Sequence, residues 1–390
     1  MLRNKVPLTC IAWVLYGCAT LQFIRYYVVV TTFYLDMPRY LEGRERLPFQ
    51  ERVLPIFLMW PINHSAFLMR HLAHPKGGFD DPSAATSETL AFYIVSLVSF
   101  SIAAFLVNRL YRLLTITGTL SVLVFPSFLV LCLWTYVVHV DANFSYPYDF
   151  PSLAFFAGGL LAIFTRRYVP LLVIMFVGTM NRETTLFLII IYVLDAISIM
   201  PPNVELRQGY ISPRERFALR QMPWLRATFL LAIWLSVRLT IYHHFAHNDN
   251  SENYVRLREN LGRIRLRLFP TLFNICGYVL PIVFILRRQL RPLRFASYLY
   301  VLPFWIGVMF YTGVVLETRV YGELCSFTAI AVVLLLENHV ASHKASVNSQ
   351  IAPQIVKEVL GGAQGNWEQT LEVNLTSESS DQPTPVSTQC

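Results

Sequence analysis

Three polar residues, Asn181-Arg182-Glu183, interrupt an apolar stretch that runs from Val169 to Met200. An arginine or an acid at the centre of a membrane costs roughly 2.5–3.5 kcal/mol, so such groups usually face a wet cavity and take part in function. The planar guanidinium group of Arg182 could bind two phosphate oxygens at once. Alternatively, Arg182 and Glu183 form an internal ion pair with each other that has only a structural role. The tripeptide is the first candidate for a substrate-binding site.

A single carboxylate, Asp36, follows the first long apolar run of the chain. At the outer end of a membrane helix it could accept a proton from a substrate hydroxyl as a general base. The alternative is an acid at a helix end that is simply solvated at the membrane surface. Arg52 lies further along the same connection, between Pro48 and Pro55, and is a candidate for binding substrate.

Aromatic and acidic residues occur together before the fourth apolar run, at Tyr146, Tyr148 and Asp149. Aromatic rings stack on the C–H faces of sugars, and carboxylates accept hydrogen bonds from sugar hydroxyls. An aromatic belt with turn residues at a membrane interface would produce the same pattern. Asp149 is the stronger candidate for binding substrate, since it directly precedes a helix predicted to begin near Pro151 and could point into the bundle.

The last apolar run begins with a third charged element, Glu317-Thr-Arg319-Val-Tyr-Gly-Glu323. Glu317 and Arg319 are candidates for binding substrate at the membrane surface. Glu323 lies one helical turn beyond Arg319, so a structural ion pair competes with a ligand role for the arginine.

The motifs give little support to metal or nucleotide chemistry. His243, His244 and His247 form a local cluster with no acid or cysteine at metal-ligand spacing, and we expect a solvated helix end rather than a metal site. The six cysteines form no CxxC pair, so neither a zinc site nor a disulfide framework is predicted. No P-loop or GxGxxG motif occurs. We therefore expect no metal and no cofactor.

The composition indicates a membrane protein. Of the 390 residues, 55% are hydrophobic and 14% are charged, against about 25% charged residues in soluble domains. The arginines lie in short blocks between apolar runs, which excludes a nucleic-acid-binding patch and favours membrane topology as their role. Apolar windows predict an all-α, polytopic helix bundle of about ten segments. These windows are residues 8–34, 90–108, 119–139, 151–165, 169–180, 184–200, 224–242, 270–286, 298–316 and 320–336.

The two windows beside Asn181 predict a short hairpin. At 1.5 Å per residue, the arms 169–180 and 184–200 reach about 18 and about 25 Å, which is less than the roughly 30 Å of a hydrocarbon core. We therefore expect a re-entrant-like hairpin near 169–200, with the tripeptide at its tip.

The arginine blocks predict which loops face the cytoplasm. Every second connection is basic, for example at Arg109, at Arg166-Arg167 and at residues 287–294, and basic loops stay in the cytoplasm. Both termini are then cytoplasmic, and the membrane is predicted to be the cell inner (cytoplasmic) membrane. Residues 287–294 face the cytoplasm only if residues 169–200 form a hairpin. The connections predicted to face outward are 35–89, 139–150, 181–183, 243–269 and 317–319.

Two further segments complete the predicted organisation. Residues 254–268 are predicted to form a basic amphipathic helix in the outer interface, suited to anionic lipid headgroups. The alternative is a lid packed on the bundle, which would need the same apolar stripe. The transmembrane domain spans residues 1–336. Residues 337–390 are rich in Ser, Thr, Gln and Asn and are predicted to form a disordered cytoplasmic tail.

Taken together, these elements resemble the GT-C superfamily of integral-membrane glycosyltransferases, and uncharacterised bacterial members of it most closely. The resemblance covers roughly residues 8–336. It is carried by an early outer Asp and by the segments Pro48-Phe-Gln-Glu-Arg52-Val-Leu-Pro55, Tyr148-Asp149, Asn181-Arg-Glu-Thr184 and Glu317-Thr-Arg-Val-Tyr-Gly-Glu323.

The resemblance implies transfer of a sugar from a polyprenyl-phosphate donor at the outer face of the membrane. Asp36 would be the base that activates the acceptor hydroxyl, and Arg182 and Arg319 would hold the donor phosphate. Many such enzymes carry paired acids in the first outer loop, whereas Asp36 stands alone here. The alternative function is a non-enzymatic transporter or flippase for a lipid-linked or anionic solute, because discontinuous helices often mark transport sites.

Overall fold

The computed structural model describes residues 5–72, 87–115, 117–138, 144–199, 213–252, 254–267, 273–314 and 317–343. Parts of the predicted outer connections, and residues 344–390 of the predicted tail, lie outside this description. The chain divides into two compact units, Met1–Leu336 and Glu337–Cys390.

Apolar helices dominate the described residues. In chain order they are α1 (Lys5–Val30), α2 (Met37–Leu41), α3 (Leu54–Asn63), α4 (Ala66–Leu72), α5 (Ser87–Leu114), α6 (Val124–Leu133), α7 (Asp149–Phe164), α8 (Tyr168–Asn181), α9 (Leu186–Ile199), α10 (Pro213–His244), α11 (Leu257–Arg267), α12 (Val279–Ile285), α13 (Leu293–Ala296), α14 (Leu302–Thr312) and α15 (Leu324–His343). Short 3₁₀ turns lie at Ser121–Leu123, Glu183–Thr185, Leu286–Arg288, Ser297–Val301 and Thr318–Tyr321, and a π turn lies at Trp134–Val138.

One short parallel strand pair joins the end of α1 to the segment before α7. Strand β1 (Thr32–Phe33) pairs with β2 (Phe144–Ser145), with Thr32 opposite Phe144. The pairing brings the connection that carries Asp36 next to the start of the helix that carries Asp149.

Five helical segments are long and apolar enough to cross a membrane: Ser87–Leu114, Ser121–Val138, Pro223–His244, Leu293–Thr312 and Leu324–His343. The shortest has 18 residues, which at 1.5 Å per residue approaches the roughly 30 Å of a hydrocarbon core. The predicted multi-pass helical membrane protein is therefore confirmed. The predicted count of ten segments is not, because several of the windows form helices shorter than a membrane span.

The predicted span 270–286 is wrong for the residues that the structure describes. Its helical part is restricted to α12 and the turn that follows. Cys276, Gly277 and Tyr278 all have left-handed backbone angles, with φ of 50°, 64° and 64°, and a right-handed helix cannot continue through them. The hydropathy of this window reflects an apolar turn as much as a helix.

The last span and the predicted tail also need correction. The final helix begins at Leu324, after a 3₁₀ turn, and continues to His343. Residues 337–343 are therefore helical, although the polar composition beyond residue 336 predicted disorder from that point.

The predicted interruption at the tripeptide is present. Helix α8 ends at Asn181, Arg182 is extended (φ −160°, ψ 143°), and α9 begins at Leu186 after one 3₁₀ turn. Each arm has 14 residues, or about 21 Å. The Thr185 hydroxyl donates to the carbonyl of Arg182 (3.1 Å), so it satisfies one of the backbone groups released by the break.

Helix α7 lies at the centre of the bundle, where it packs against α5, α8 and α9. Its second residue, Phe150, is fully buried, with ring centroids 4.6 Å from Tyr27, 5.2 Å from Tyr136 and 5.6 Å from Phe100. Aromatic pairs at these distances add to the stability gained from burying their area. The aromatic core therefore holds the start of α7, and with it Asp149, in a defined place.

The segments predicted to face outward lie together at one end of the bundle. The Leu47 amide donates to the carbonyl of Asp249 (2.7 Å), and the Asn248 amide group donates to the carbonyls of Gly43 (3.1 Å) and Glu45 (2.7 Å). The predicted amphipathic helix 254–268 is observed as α11. It packs on α14 through Asn260, so the structure gives it bundle contacts of the kind expected of a lid.

Candidate functional site

The carboxylate of Asp149 lies at the centre of a buried group of charges. Its residue is 0% exposed, and the Tyr27 hydroxyl donates to its Oδ2 (2.7 Å). Arg182 Nη1 lies 3.6 Å from Oδ1, and Arg319 Nη1 lies 3.7 Å from Oδ2. Asp149 also occupies the first turn of α7, where the helix dipole favours a negative charge.

Arg182 bridges Asp149 to a second buried acid. Its Nη1 lies 3.2 Å from Oε1 of Glu323, and the Thr184 hydroxyl donates to the same oxygen (2.7 Å). Arg182 and Glu323 are both buried. The break between α8 and α9 is thus joined electrostatically to the residue immediately before α15.

Asn181 fixes the end of α8 against the start of α7. Its side-chain amide donates to the carbonyl of Tyr148 (2.9 Å) and to the hydroxyl of Ser152 (2.7 Å). Asn181, Tyr148 and Asp149, all predicted to bind substrate, are therefore brought together by the structure.

Two tyrosine rings support the remaining arginines. The guanidinium of Arg319 lies 3.7 Å from the ring centre of Tyr146, and that of Arg52 lies 4.1 Å from the ring centre of Tyr148. Such cation–π contacts contribute roughly 0.5–2 kcal/mol. Arg52 also pairs with Glu183 (2.9 Å), and Arg319 pairs with Glu317.

We call this set of seven residues the buried charge cluster: Arg52, Asp149, Arg182, Glu183, Glu317, Arg319 and Glu323. Its formal charges are three positive and four negative, so the set is close to neutral. Arg182 and Arg319, the predicted phosphate-binding residues, each lie against two carboxylates. An added phosphate would have to compete with those acids for both arginines.

Several atoms of the cluster and its neighbours make no hydrogen bond within the described part of the chain. The acceptors are Asp149 Oδ1, Asn181 Oδ1 and Glu323 Oε2; the nitrogen donors are Arg182 Nε, Arg182 Nη1 and Arg319 Nη1; the hydroxyls are those of Tyr136 and Tyr148. Three of these atoms, Asp149 Oδ1, Arg182 Nη1 and Arg319 Nη1, lie within 3.7 Å of an opposite charge without hydrogen-bond geometry. A buried polar group with no partner at all costs about 1–3 kcal/mol, and folded proteins contain few of them. Their concentration here marks a place suited to a ligand that both donates and accepts.

A second buried ion pair in the bundle provides a contrast. Asp195 accepts hydrogen bonds from Arg294 Nε (2.7 Å) and Nη2 (2.8 Å) and from the hydroxyl of Tyr298. None of these three side chains is left with an unpartnered buried polar atom. This group has the geometry of a purely structural ion pair, which the buried charge cluster lacks.

Asp36, the predicted base, lies outside the buried charge cluster. Its side chain is 50% exposed, its Oδ1 accepts from the backbone amide of Arg39 (3.2 Å), and its Oδ2 lies 3.5 Å from Arg39 Nε. The residue thus caps α2. One turn along that helix, the buried Tyr40 donates its hydroxyl to the carbonyl of Arg52, which links α2 to the segment that carries one arginine of the cluster.

Another group of charges joins two of the predicted outer loops around Glu252. Arg256 Nη2 lies 2.9 Å and Arg46 Nη1 lies 3.6 Å from its carboxylate. The nearby Glu45 is buried, and burial raises the pKa of its carboxyl group, which Arg46 offsets only in part. Burial and a hydrogen bond to Glu252 raise the pKa of Tyr34.

The histidines near the end of α10 are exposed. His243 and His244 belong to the last turn of the helix, and His247 follows it. Within the described ranges, no group of three or more His, Cys, Asp or Glu residues has the geometry to hold a metal ion.

Tyr27 and Glu323 belong to the site, although neither was chosen from the sequence as a substrate-binding residue. Tyr27 follows Tyr26 near the end of an apolar helix, which is typical of interfacial anchors. In the structure Tyr26 is exposed and Tyr27 is fully buried. Glu323 did carry a signal, since it is an acid at the start of an apolar run.

Comparison with known proteins adds no family to this description. No family model matches the chain, no curated protein is similar to it, and no solved structure matches it.

Proposed function

We propose that this protein is a membrane glycosyltransferase, which moves a sugar from a polyprenyl-phosphate donor to an acceptor hydroxyl at the outer face of the membrane. The proposal depends above all on the mixture of buried donors and acceptors that make no hydrogen bond in the buried charge cluster and in its neighbours Tyr136, Tyr148 and Asn181. Each sugar hydroxyl both donates and accepts a hydrogen bond.

In this proposal the cluster binds the sugar, and the phosphate lies at its edge. The charge balance supports this arrangement, because Arg182 and Arg319 already lie against carboxylates. Arg52 is better placed for the phosphate, since its partner Glu183 has 36% of its side chain exposed. A guanidinium group there would stabilise the charge that develops on the departing phosphate.

The proposed reaction is a single displacement. The acceptor oxygen forms a bond to the anomeric carbon while the bond from that carbon to the phosphate oxygen breaks. The bonding electron pair leaves with the polyprenyl phosphate, and the acceptor proton passes to a carboxylate. Asp36 is the proposed base, because its side chain is half exposed while Asp149 and Glu323 are buried.

The second candidate is a transporter or flippase for a lipid-linked solute. It is favoured by one observation, the pair of 14-residue helices α8 and α9 that meet at a charged break, since discontinuous helices often hold transported solutes. A transporter would bind the lipid-linked sugar without breaking the bond to its phosphate.

Turnover of radiolabelled polyprenyl-phosphate monosaccharides by purified protein in lipid nanodiscs tests the proposal. We expect sugar transfer by the native chain, and a fall of roughly 100-fold to 10,000-fold for Asp36→Asn, as for loss of a general base. Glu42→Gln is the matched control, an exposed acid on the same loop that pairs with Arg44.

The possible results separate the two candidates. Equal activity of Asp36→Asn and Glu42→Gln would remove Asp36 as the base. Binding of the donors without any transfer, whichever acceptor alcohol is supplied, would contradict the glycosyltransferase and support the transporter.

A further inference from the structure

A long apolar groove lies on the bundle, lined by α3, α5, α7 and α8. Its volume is about 760 Å³, within the range of pockets that bind small ligands. Along α5 the lining residues run from Ile94 to Leu113, a distance of about 28 Å at the helical rise of 1.5 Å per residue. The groove is therefore long enough to hold an extended hydrocarbon chain.

A glycine keeps the middle of the groove open. A Cβ atom at Gly158 would lie 3.3 Å from Ile174 Cδ1 and 3.6 Å from Leu106 Cδ1, and all three residues line the groove. A larger side chain at this position would occupy the space between α5 and α8.

Two arginines line the groove together with the apolar residues, Arg109 near the end of α5 and Arg167 just before α8. Both are exposed, and neither pairs with a carboxylate in the part of the chain that the structure describes. They contrast with the arginines of the buried charge cluster, which all lie against acids. Unneutralised guanidinium groups beside an apolar groove complement a phosphate attached to a hydrocarbon chain.

We propose that this groove binds one anionic glycerophospholipid, with an acyl chain along Leu106 and Leu161 and the phosphate against Arg109 and Arg167. The arginine pattern of the sequence predicts that these two residues face the cytoplasm, so the lipid comes from the cytoplasmic leaflet. An anionic headgroup is preferred over a zwitterionic one, because it carries no ammonium group to oppose the arginines. This site is separate from the buried charge cluster.

Native mass spectrometry of the purified full chain, incubated with an equal mixture of phosphatidylglycerol and phosphatidylcholine, tests the proposal. The native chain is expected to retain one phosphatidylglycerol. In Arg109→Gln/Arg167→Gln the apparent affinity should fall roughly thirtyfold, or about fivefold for each arginine lost. Arg112→Gln is the matched control, because Arg112 lies on the same helix but does not line the groove.

A second variant tests the groove without changing its charge. Gly158→Leu should reduce phosphatidylglycerol retention, while its thermal unfolding midpoint reports whether the bundle is still folded. An equal loss of lipid in the double variant and in Arg112→Gln would overturn the proposal, since it would indicate general surface attraction. Retention by a folded Gly158→Leu at the native level, or no preference for phosphatidylglycerol in the native chain, would overturn it as well.

Discussion

Asp149 shows how single residues bring together segments that are distant in the sequence. It lies between two arginines, Arg182 from the break after α8 and Arg319 from the turn before the last helix, and it accepts a hydrogen bond from Tyr27 of the first helix. Asp149, Arg182 and Arg319 could be selected from the sequence, because charges beside apolar stretches are rare. Tyr27 could not, since its burial depends on how α1 packs against Phe150.

Removing Arg182 should destabilise the fold strongly. Arg182→Gln leaves Asp149 and Glu323 buried with one counter-charge fewer, and breaking such a group costs about 3–5 kcal/mol. Adding Glu323→Gln should recover part of the loss, because it removes one of the acids left without a partner. Denaturant unfolding of the two single variants and the double variant measures this coupling. The coupling would be contradicted if the loss of unfolding free energy in the double variant equals the sum of the two single-variant losses within about 0.5 kcal/mol.

Gly322 should not tolerate a side chain. A Cβ atom there would collide with the hydroxyl oxygen of Tyr136 and lie 3.0 Å from the carbonyl oxygen of Arg319. Gly322→Ala should therefore lower the unfolding free energy by about 1–3 kcal/mol, as overpacking does. Gly307→Ala is the control, because nothing lies within 4 Å of its added Cβ. Similar midpoints for the two variants would show that the turn at Gly322 is looser than described.

At the scale of elements, the sequence predicted an interruption between helices better than it predicted the extent of a helix. The interruption at Asn181 was predictable, because local charges and the short apolar arms both indicate it. The late start of the helical part of 270–286 was not, because Cys276 and Tyr278, just before it, adopt left-handed angles that their residue types do not favour. Tertiary packing imposes them: Gly277 lies against the ring of Trp134, whose Nε1 donates to Asn274.

The outer loops should carry a pH-dependent stability through Glu45. Burial raises the pKa of this carboxyl group above its usual 4.5. As the pH rises, the unfolded state therefore loses the Glu45 proton at a lower pH than the folded state does. Stability then falls as the pH rises through the interval above 4.5. Glu45→Gln should lose this dependence and have the higher unfolding midpoint at pH 7.

The control for this prediction is Glu42→Gln, which changes an exposed acid on the same loop. Midpoints are measured from pH 4 to pH 7 for the native chain and for both variants. An advantage of Glu45→Gln that is the same at pH 4 and pH 7 would contradict a titration of Glu45.

At the scale of the whole molecule, hydropathy identified the class of protein, whereas its count of about ten segments is not confirmed. Among the described residues, five segments are long and apolar enough to cross a membrane, and α7, α8 and α9 have only 14 to 16 residues each. Two of the loops that the charge pattern predicted to face outward, 35–89 and 243–269, contact one another through Leu47 and Asn248.

Cysteine labelling tests the predicted orientation of these two ends. In intact cells, Ser251→Cys in the predicted outer loop should react with a membrane-impermeant maleimide. Arg112→Cys, at the predicted cytoplasmic end of α5, should react only after permeabilisation. Both positions are exposed, and the native chain serves as the blank. The reverse pattern would place the buried charge cluster toward the cytoplasm.

The central claim is that the buried charge cluster binds a sugar, and Tyr148→Phe tests it most directly. This change removes a buried hydroxyl that makes no hydrogen bond within the described residues, so the fold should be at least as stable as before. Affinities for a polyprenyl-phosphate sugar and for the bare polyprenyl phosphate are measured side by side in nanodiscs. We expect Tyr148→Phe to weaken binding of the sugar-bearing lipid roughly tenfold and to leave binding of the bare lipid unchanged. Equal affinities of the native chain and Tyr148→Phe for the sugar-bearing lipid would contradict sugar binding at the cluster.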